Sequence, residues 1–226
     1  IGFEALARWK SDKLGWVAPD LFIAVAEEIG VINELGDQLL RQACLDAGSW
    51  PVGLTLAFNI SAVQLRDPTV GFRILAILAE TGFDPRRLEL EITETAVVEN
   101  TKIAQETTSQ LREAGVRIAL DDFGTGYATL KQLISLKVDR IKIDRSFVDR
   151  LGKDKESTTI IRAVLGLASG FSLEATAEGI ENDEQLASLR AEGCLEGQGF
   201  LFGKAVPASD IQYLLQSQPS TTKAGA

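Results

Sequence analysis

The chain has 226 residues, 45% of them apolar and 24% charged, which suits one large globular domain burying roughly 70–75% of its unfolded surface and excludes disorder for the bulk of it. Its 23 basic and 32 acidic residues leave a net charge of −9, which argues against a DNA or RNA polymer or an anionic membrane as partner. There is no histidine, so Ser-His-Asp and Cys-His triads and imidazole-based zinc sites are excluded, and any chemistry falls to carboxylates, amides and lysines.

In chain order, short apolar stretches predict strands over Gly2–Trp9, Leu54–Ile60, Leu88–Thr93, Val116–Asp122, Arg140–Asp144, Leu173–Glu178 and Gly199–Gly203. Between the first two lie helical patterns at Pro19–Gly30 and Ile32–Ala47, with Pro19 and Asp20 as start signals and Gly30 and Gly48 as stops. Further helices are predicted over Phe72–Thr81, Lys102–Ala114, Ala128–Ser135, Ser157–Ser169, Asn182–Glu192 and Ala208–Gln216, followed by a polar tail. Strand and helix alternate without an internal linker, which implies an α/β fold on a parallel sheet, either open and doubly wound or closed into a barrel. A closed (β/α)8 barrel needs an eighth strand, and the expectation is that this first strand lies upstream of the chain. The absence of methionine likewise implies an initiator upstream, and so a piece of a longer protein.

Cys44 and Cys194 match no metal-binding or disulfide spacing and read as small buried hydrophobes, which fits a reducing, cytoplasmic compartment. No apolar run has the length of a membrane span and no signal peptide opens the chain, so no membrane contact is expected from this domain itself.

The strand faces carry the main functional inference. In Leu88–Thr93, Leu88, Leu90 and Ile92 share one face and Glu89 and Glu91 the other. By the same parity Leu54, Leu56 and Phe58 oppose Asn59, Ile118 and Leu120 oppose Asp121, and Ile141 and Ile143 oppose Lys142 and Asp144. Glu4 and Glu178 fall on the non-helical face of their own strands. Strands of a parallel sheet usually read as continuous apolar runs. Inward polar groups near the C-terminal ends of six strands therefore suggest either barrel-lining salt bridges or a site at the barrel mouth.

Glu4, Asn59, Glu91, Asp121 and Asp122 offer only oxygen ligands, which suit Mg²⁺ or Mn²⁺. One carboxylate of the Asp121–Asp122 pair could bridge two ions, as in two-metal phosphoryl displacement, with Lys142 beside the attacking water. The segment Asp121–Tyr127 reads as a glycine-containing loop carrying metal ligands, and it lacks the Walker and Rossmann patterns. Two enzyme classes remain open on these residues: two-metal phosphodiester hydrolysis, and an enolase-like barrel in which Lys142 abstracts a proton beside one Mg²⁺.

Glu4-Ala5-Leu6 followed by Arg8-Trp9 resembles the signature of the EAL domain, a bacterial phosphodiesterase family acting on cyclic di-GMP. Phe58–Ser61, Glu91–Glu94, Asp121–Tyr127, Lys142–Phe147, Ala177–Glu181 and Gln198–Phe202 resemble further EAL motifs in family order, from Glu4 to about Pro207. The resemblance implies a TIM-like barrel over residues 1–216, with 217–226 as the tail. It implies hydrolysis of cyclic di-GMP to linear pGpG with two Mg²⁺ or Mn²⁺ ions and inhibition by Ca²⁺. One ion would be held by Glu4, Asn59, Glu91 and Asp121, the other by Asp121, Asp122 and Glu178. Lys142 would contact the water between them, and Glu178 is also the family's proposed general base. Arg8, Gln198 and Leu6 are implied as substrate contacts, and Glu94 as the residue that fixes the Asp121–Tyr127 loop.

The resemblance also implies a homodimer and an upstream sensory or GGDEF module in the full protein. The alternative is a cyclic di-GMP-binding sensor without turnover. Ser11-Asp12, Leu195, Asn182 and Ala205 depart from the family pattern, outside the metal set.

Overall fold

A computed structural model describes residues 2–99, 101–126 and 130–217 of the protein. Its elements in chain order are β1 (Gly2–Ala5), β2 (Trp9–Ser11), β3 (Gly15–Val17), α1 (Pro19–Glu28), α2 (Ile32–Ala47), β4 (Thr55–Ile60), α3 (Ala62–Leu65) and α4 (Val70–Thr81). These lead to β5 (Leu88–Thr93), α5 (Glu94–Glu99), α6 (Thr101–Glu113), β6 (Arg117–Phe123), α7 (Leu130–Leu136), β7 (Arg140–Ile143) and α8 (Arg145–Val148). The chain ends with α9 (Lys155–Gly170), β8 (Glu174–Ala177), α10 (Asp183–Ala191), β9 (Glu196–Gly197) and α11 (Ala208–Ser217).

Among the described residues one sheet holds seven strands in the order β1-β4-β5-β6-β7-β8-β9, and its neighbours are all parallel. The sheet curls far enough for its two edges to meet through side chains, where Gln198 Nε2, just past β9, donates to Glu4 Oε2 of β1 at 2.5 Å. This is a TIM-like α/β architecture, the barrel alternative of the two that strand–helix alternation leaves open and the one the family resemblance implies.

The parity reading of the strands holds. Leu56, Leu88, Leu90, Ile92, Ile118, Leu120, Ile141 and Ile143 pack in the hydrophobic core, none more than 2% exposed. At roughly 25 cal/mol per Å² of apolar surface, each such side chain contributes about 1.5–3 kcal/mol before the entropy of ordering it is set against it.

Helix starts are set by local side chains. Ser61 and Gln64 close a capping box on α3, Asn182 and Gln185 another on α10, and Asp154 accepts from Ser157 N at the start of α9. Asn182, a departure from the family pattern, thus still caps its helix by accepting from Gln185 N.

Three expectations need correction. The stretch Gly2–Trp9 is not one strand: the parallel strand stops at Ala5, and Trp9–Ser11 pairs antiparallel with Gly15–Val17 as a separate hairpin. Ser11 Oγ accepts from Lys13 N and Leu14 N in its turn, and Gly15 takes a positive φ of 72°. The last strand is not Gly199–Gly203 but Glu196–Gly197, because Thr176 and Ala177 pair with those two residues. Phe200-Leu201-Phe202 instead forms a turn whose Leu201 N–H donates to the Ile180 carbonyl. The short helices α3, α5 and α8 follow strand ends where no helix is predicted.

The predicted helix start at Ala128 and the tail beyond Ser217 lie outside the described residues. Among the described residues no helix is long and apolar enough to cross a membrane.

Candidate active site

The polar residues at the C-terminal ends of the strands converge on Lys142. This lysine is only 2% exposed, and its Nζ lies 2.7 Å from Glu91 Oε1, 2.7 Å from Glu178 Oε1 and 3.4 Å from Asp121 Oδ2. The register explains the convergence: Asn59 stands opposite Glu91 across β4 and β5, and Thr93 opposite Asp121 across β5 and β6. Glu178 sits one residue past β8, its N–H donating to Ile143 O of β7 at 3.0 Å.

Asp121 and Asp122 pose a problem of parity, since successive residues of a regular strand point to opposite faces. The β6–β7 pairing jumps from Leu120↔Ile141 to Phe123↔Ile143, so two residues of β6 oppose Lys142 alone. This bulge, with Asp122 held at φ 56°, turns both side chains toward one site, and bulges commonly re-aim side chains in this way. Carboxylate oxygens of Asp121, Asp122 and Glu178 consequently lie within 4.8 Å of one another.

At the other side of the mouth Glu4 is held twice, by Asn59 Nδ2 at 2.6 Å and by Gln198 Nε2 at 2.5 Å. Leu6 is 46% exposed at the rim. Arg8 is exposed nearby, its Nη1 donating to the Ala7 carbonyl. Glu94, just past β5 and 3% exposed, accepts from Gly124 N at 3.3 Å and from Gly126 N at 3.1 Å, which ties the segment after the Asp pair to β5. Tyr127 of that segment is outside the described residues.

The electrostatics are those of a carboxylate cluster short of cations. Glu4, Glu91, Asp121, Asp122 and Glu178 surround the single ammonium of Lys142. Burial pushes the Glu91 carboxyl up to about 8, against the pull of Lys142 and with the help of Glu4 and Asp121. Burial pushes Glu178 up to about 7 in the same way, and burial with the neighbouring Asp121 and Asp144 raises Asp122. Burial alone would lower Lys142, but Glu91, Glu178, Asp121 and Glu4 outweigh it and hold the ammonium charged.

Glu91 Oε2 is buried and has no hydrogen-bond partner, a costly condition for a carboxylate oxygen. An all-oxygen donor set, an orphaned carboxylate oxygen and an excess of negative charge fit hard divalent cations such as Mg²⁺ or Mn²⁺.

Strand parity places Asp144 on the face of Lys142. In the structure its carboxylate caps α8 by accepting from Ser146 N at 3.0 Å, while its charge still acts on Asp122.

A model of the EAL domain family matches residues 1–205. The chain is 46% identical over 210 residues to an uncharacterized signaling protein of Caulobacter vibrioides, covering 93% of this chain and 26% of that protein. It is 38% identical over 208 residues to the cyclic di-GMP phosphodiesterase PdeR of Escherichia coli, covering 91% of this chain and 32% of PdeR. Among solved structures, a PaMucR phosphodiesterase in complex with c-di-GMP superposes with a TM-score of 0.88 at 33% identity, covering 93% of this chain and 87% of that one. The chain spans about a quarter to a third of the length of the curated relatives it matches. The convergent strand-end carboxylates, the sheet that carries them and the match along nearly its whole length together place this chain in the EAL domain family.

Proposed function

We propose that this domain hydrolyses cyclic di-GMP to linear pGpG with two Mg²⁺ or Mn²⁺ ions. The observation that carries the proposal is the carboxylate cluster around Lys142, with the buried Glu91 Oε2 left without a partner. The names of PdeR and of the PaMucR complex supply the substrate class.

Glu4, Asn59, Glu91 and Asp121 would hold one ion, and Asp121, Asp122 and Glu178 the other, with Asp121 common to both. When bound, such ions supply Lewis-acid stabilisation of the phosphoryl oxygens and a water that ionises near neutral pH. The chain's own residues do the rest. Lys142 orients the attacking water and offsets the charge that gathers on the phosphoryl oxygens, and its burial keeps that ammonium strong and fixed. Glu178, whose Oε1 lies 2.7 Å from Lys142 Nζ, accepts the water's proton. Asn59 and Gln198 hold the Glu4 carboxylate in one orientation, while Arg8 and Leu6 meet the substrate at the rim. Glu94 keeps the Asp121–Asp122 segment ordered. A homodimer and an upstream regulatory module belong to the same proposal.

The test is incubation of the domain with cyclic di-GMP and Mg²⁺, followed by chromatography for pGpG. Glu178→Gln removes a base and hardly any volume. It should retain cyclic di-GMP binding while hydrolysis falls by about 10²–10⁴-fold, the contribution of a positioned acid or base. Tight binding by the unsubstituted domain with no pGpG formed would identify a sensor module instead of an enzyme.

A further inference from the structure

A cavity of about 660 Å³ opens at the N-terminal ends of β6, β7 and β8, at the opposite end of the strands from the carboxylates. That volume lies in the range of small-molecule sites, about 300–1,000 Å³. Leu133 and Val138 form buried parts of its wall, and Ile134 and Phe171 present side chains that are 53% and 43% exposed.

Three cations line the cavity. Arg112 is paired with Asp139 at 3.0 Å and Arg117 with Glu174 at 2.5 Å. Lys137 has no hydrogen-bond or ion-pair partner among the described residues. A smaller cavity of about 260 Å³ adjoins it, sharing Arg112 and Lys137 and adding Ser109 and the carboxylate of Glu113. Asp139 and Glu174 line the same cavity and neutralise two of these cations, so Lys137 leaves one positive charge beside exposed apolar surface.

The backbone gives an independent sign. Just past a helix the chain often takes a left-handed conformation that favours glycine. Glycine occupies it at Gly30 after α1, Gly82 after α4, Gly115 after α6 and Gly193 after α10. After α7 and α9 the position is held by Lys137 (φ 51°) and Ser172 (φ 57°), and both line this cavity. The remaining non-glycine residue with positive φ among those described is Asp122, in the carboxylate site. Side chains kept in a disfavoured conformation concentrate where they serve a purpose beyond folding.

We propose that this cavity binds a nucleoside monophosphate. The planar base would lie against Phe171 and Ile134, and the phosphate would meet Lys137, the Ser172 hydroxyl and guanidinium N–H groups of Arg112 not engaged by Asp139, since each guanidinium carries five donors. The proposal does not rest on the phosphodiesterase reading.

The test is equilibrium dialysis of GMP and of AMP against the whole domain in EDTA, which removes any metal-dependent binding at the carboxylates. The expected result is saturable one-to-one binding, weakened roughly tenfold or more by Lys137→Glu, the loss of one charge-assisted contact. Phe171→Ser should weaken it as well, and Asp121→Ala should leave it unchanged. Inorganic phosphate and adenosine should each bind more weakly than AMP. Lys137→Gly should lose affinity while raising the melting temperature, because glycine suits the backbone better; a melting temperature that rises with affinity intact would mean Lys137 has no part in binding. The proposal is overturned if neither nucleotide binds saturably, or if binding survives Lys137→Glu and is lost in Asp121→Ala. Phosphate alone binding as tightly as AMP would also overturn it, since the apolar wall would then contribute nothing.

Discussion

Replacing Glu94 with alanine tests the link between β5 and the Asp121–Gly126 segment. The Glu94 carboxylate accepts two backbone N–H groups, from Gly124 at 3.3 Å and Gly126 at 3.1 Å. Charge-assisted bonds of this kind contribute about 1.5–3 kcal/mol each at good geometry. These two sit at the long end of the N–H···O range, and Gly124 and Gly126 are exposed, so their N–H groups regain water when the carboxylate is removed. The net loss should be about 1–2 kcal/mol, which for a domain of this size lowers the melting temperature by roughly 2–8 °C. If that energy holds the Asp121–Asp122 bulge in place, the Mg²⁺ concentration for half-maximal activity should rise by about 5- to 30-fold, with far-UV circular dichroism unchanged. Glu94→Gln, which keeps one acceptor oxygen, should fall between the two. An unchanged Mg²⁺ requirement in a folded Glu94→Ala protein would refute the coupling, whatever its melting temperature.

The remaining predictions follow from the same geometry. Activity measured as pGpG release should require Mg²⁺ or Mn²⁺ and vanish in chelator, Ca²⁺ should inhibit, and Asn59→Ala and Asp121→Ala should each abolish turnover, Asp121→Ala more completely; full activity in EDTA would remove the two-metal assignment. Arg8→Ala should weaken cyclic di-GMP binding by roughly 1.5–3 kcal/mol, read by calorimetry in Ca²⁺ so that hydrolysis does not intervene. Asp67, which accepts from the Thr69 hydroxyl and N–H and from Arg73, is held down at about 2. Its contribution to stability is therefore fully present above about pH 4 and lost as pH falls toward 2. With the side chain 25% exposed, that contribution is about 1–2 kcal/mol after screening, and Asp67→Asn should flatten the acid limb of the stability profile measured by urea unfolding.

Much of this protein is legible in local sequence. Leu88, Leu90 and Ile92 alternate with Glu89 and Glu91, and a period of two is a property of one strand, so the buried and functional faces can be assigned before any pairing is known. Pro19 at the start of α1 and the run Ile32–Ala47 are equally local, and the structure follows them. The ordered motifs from Glu4 to Gln198 identify the family for the same reason: each holds its residues within a few positions of one strand end.

Other features exist only because distant segments meet. Parity alone sends Asp121 and Asp122 to opposite faces; they share a site because β7 pairs with β6 out of step around them and Asp122 takes a left-handed backbone. Phe200-Leu201-Phe202 has the composition of a strand, but β8 pairs two residues earlier and Ile180 takes the hydrogen bonds of the turn. The ionisation of Glu91 and Glu178 likewise depends on burial and on a lysine that lies 51 and 36 positions away along the chain. Alternation and caps are energies paid within a few residues, whereas register, bulges and shared charge are decided by which strands become neighbours.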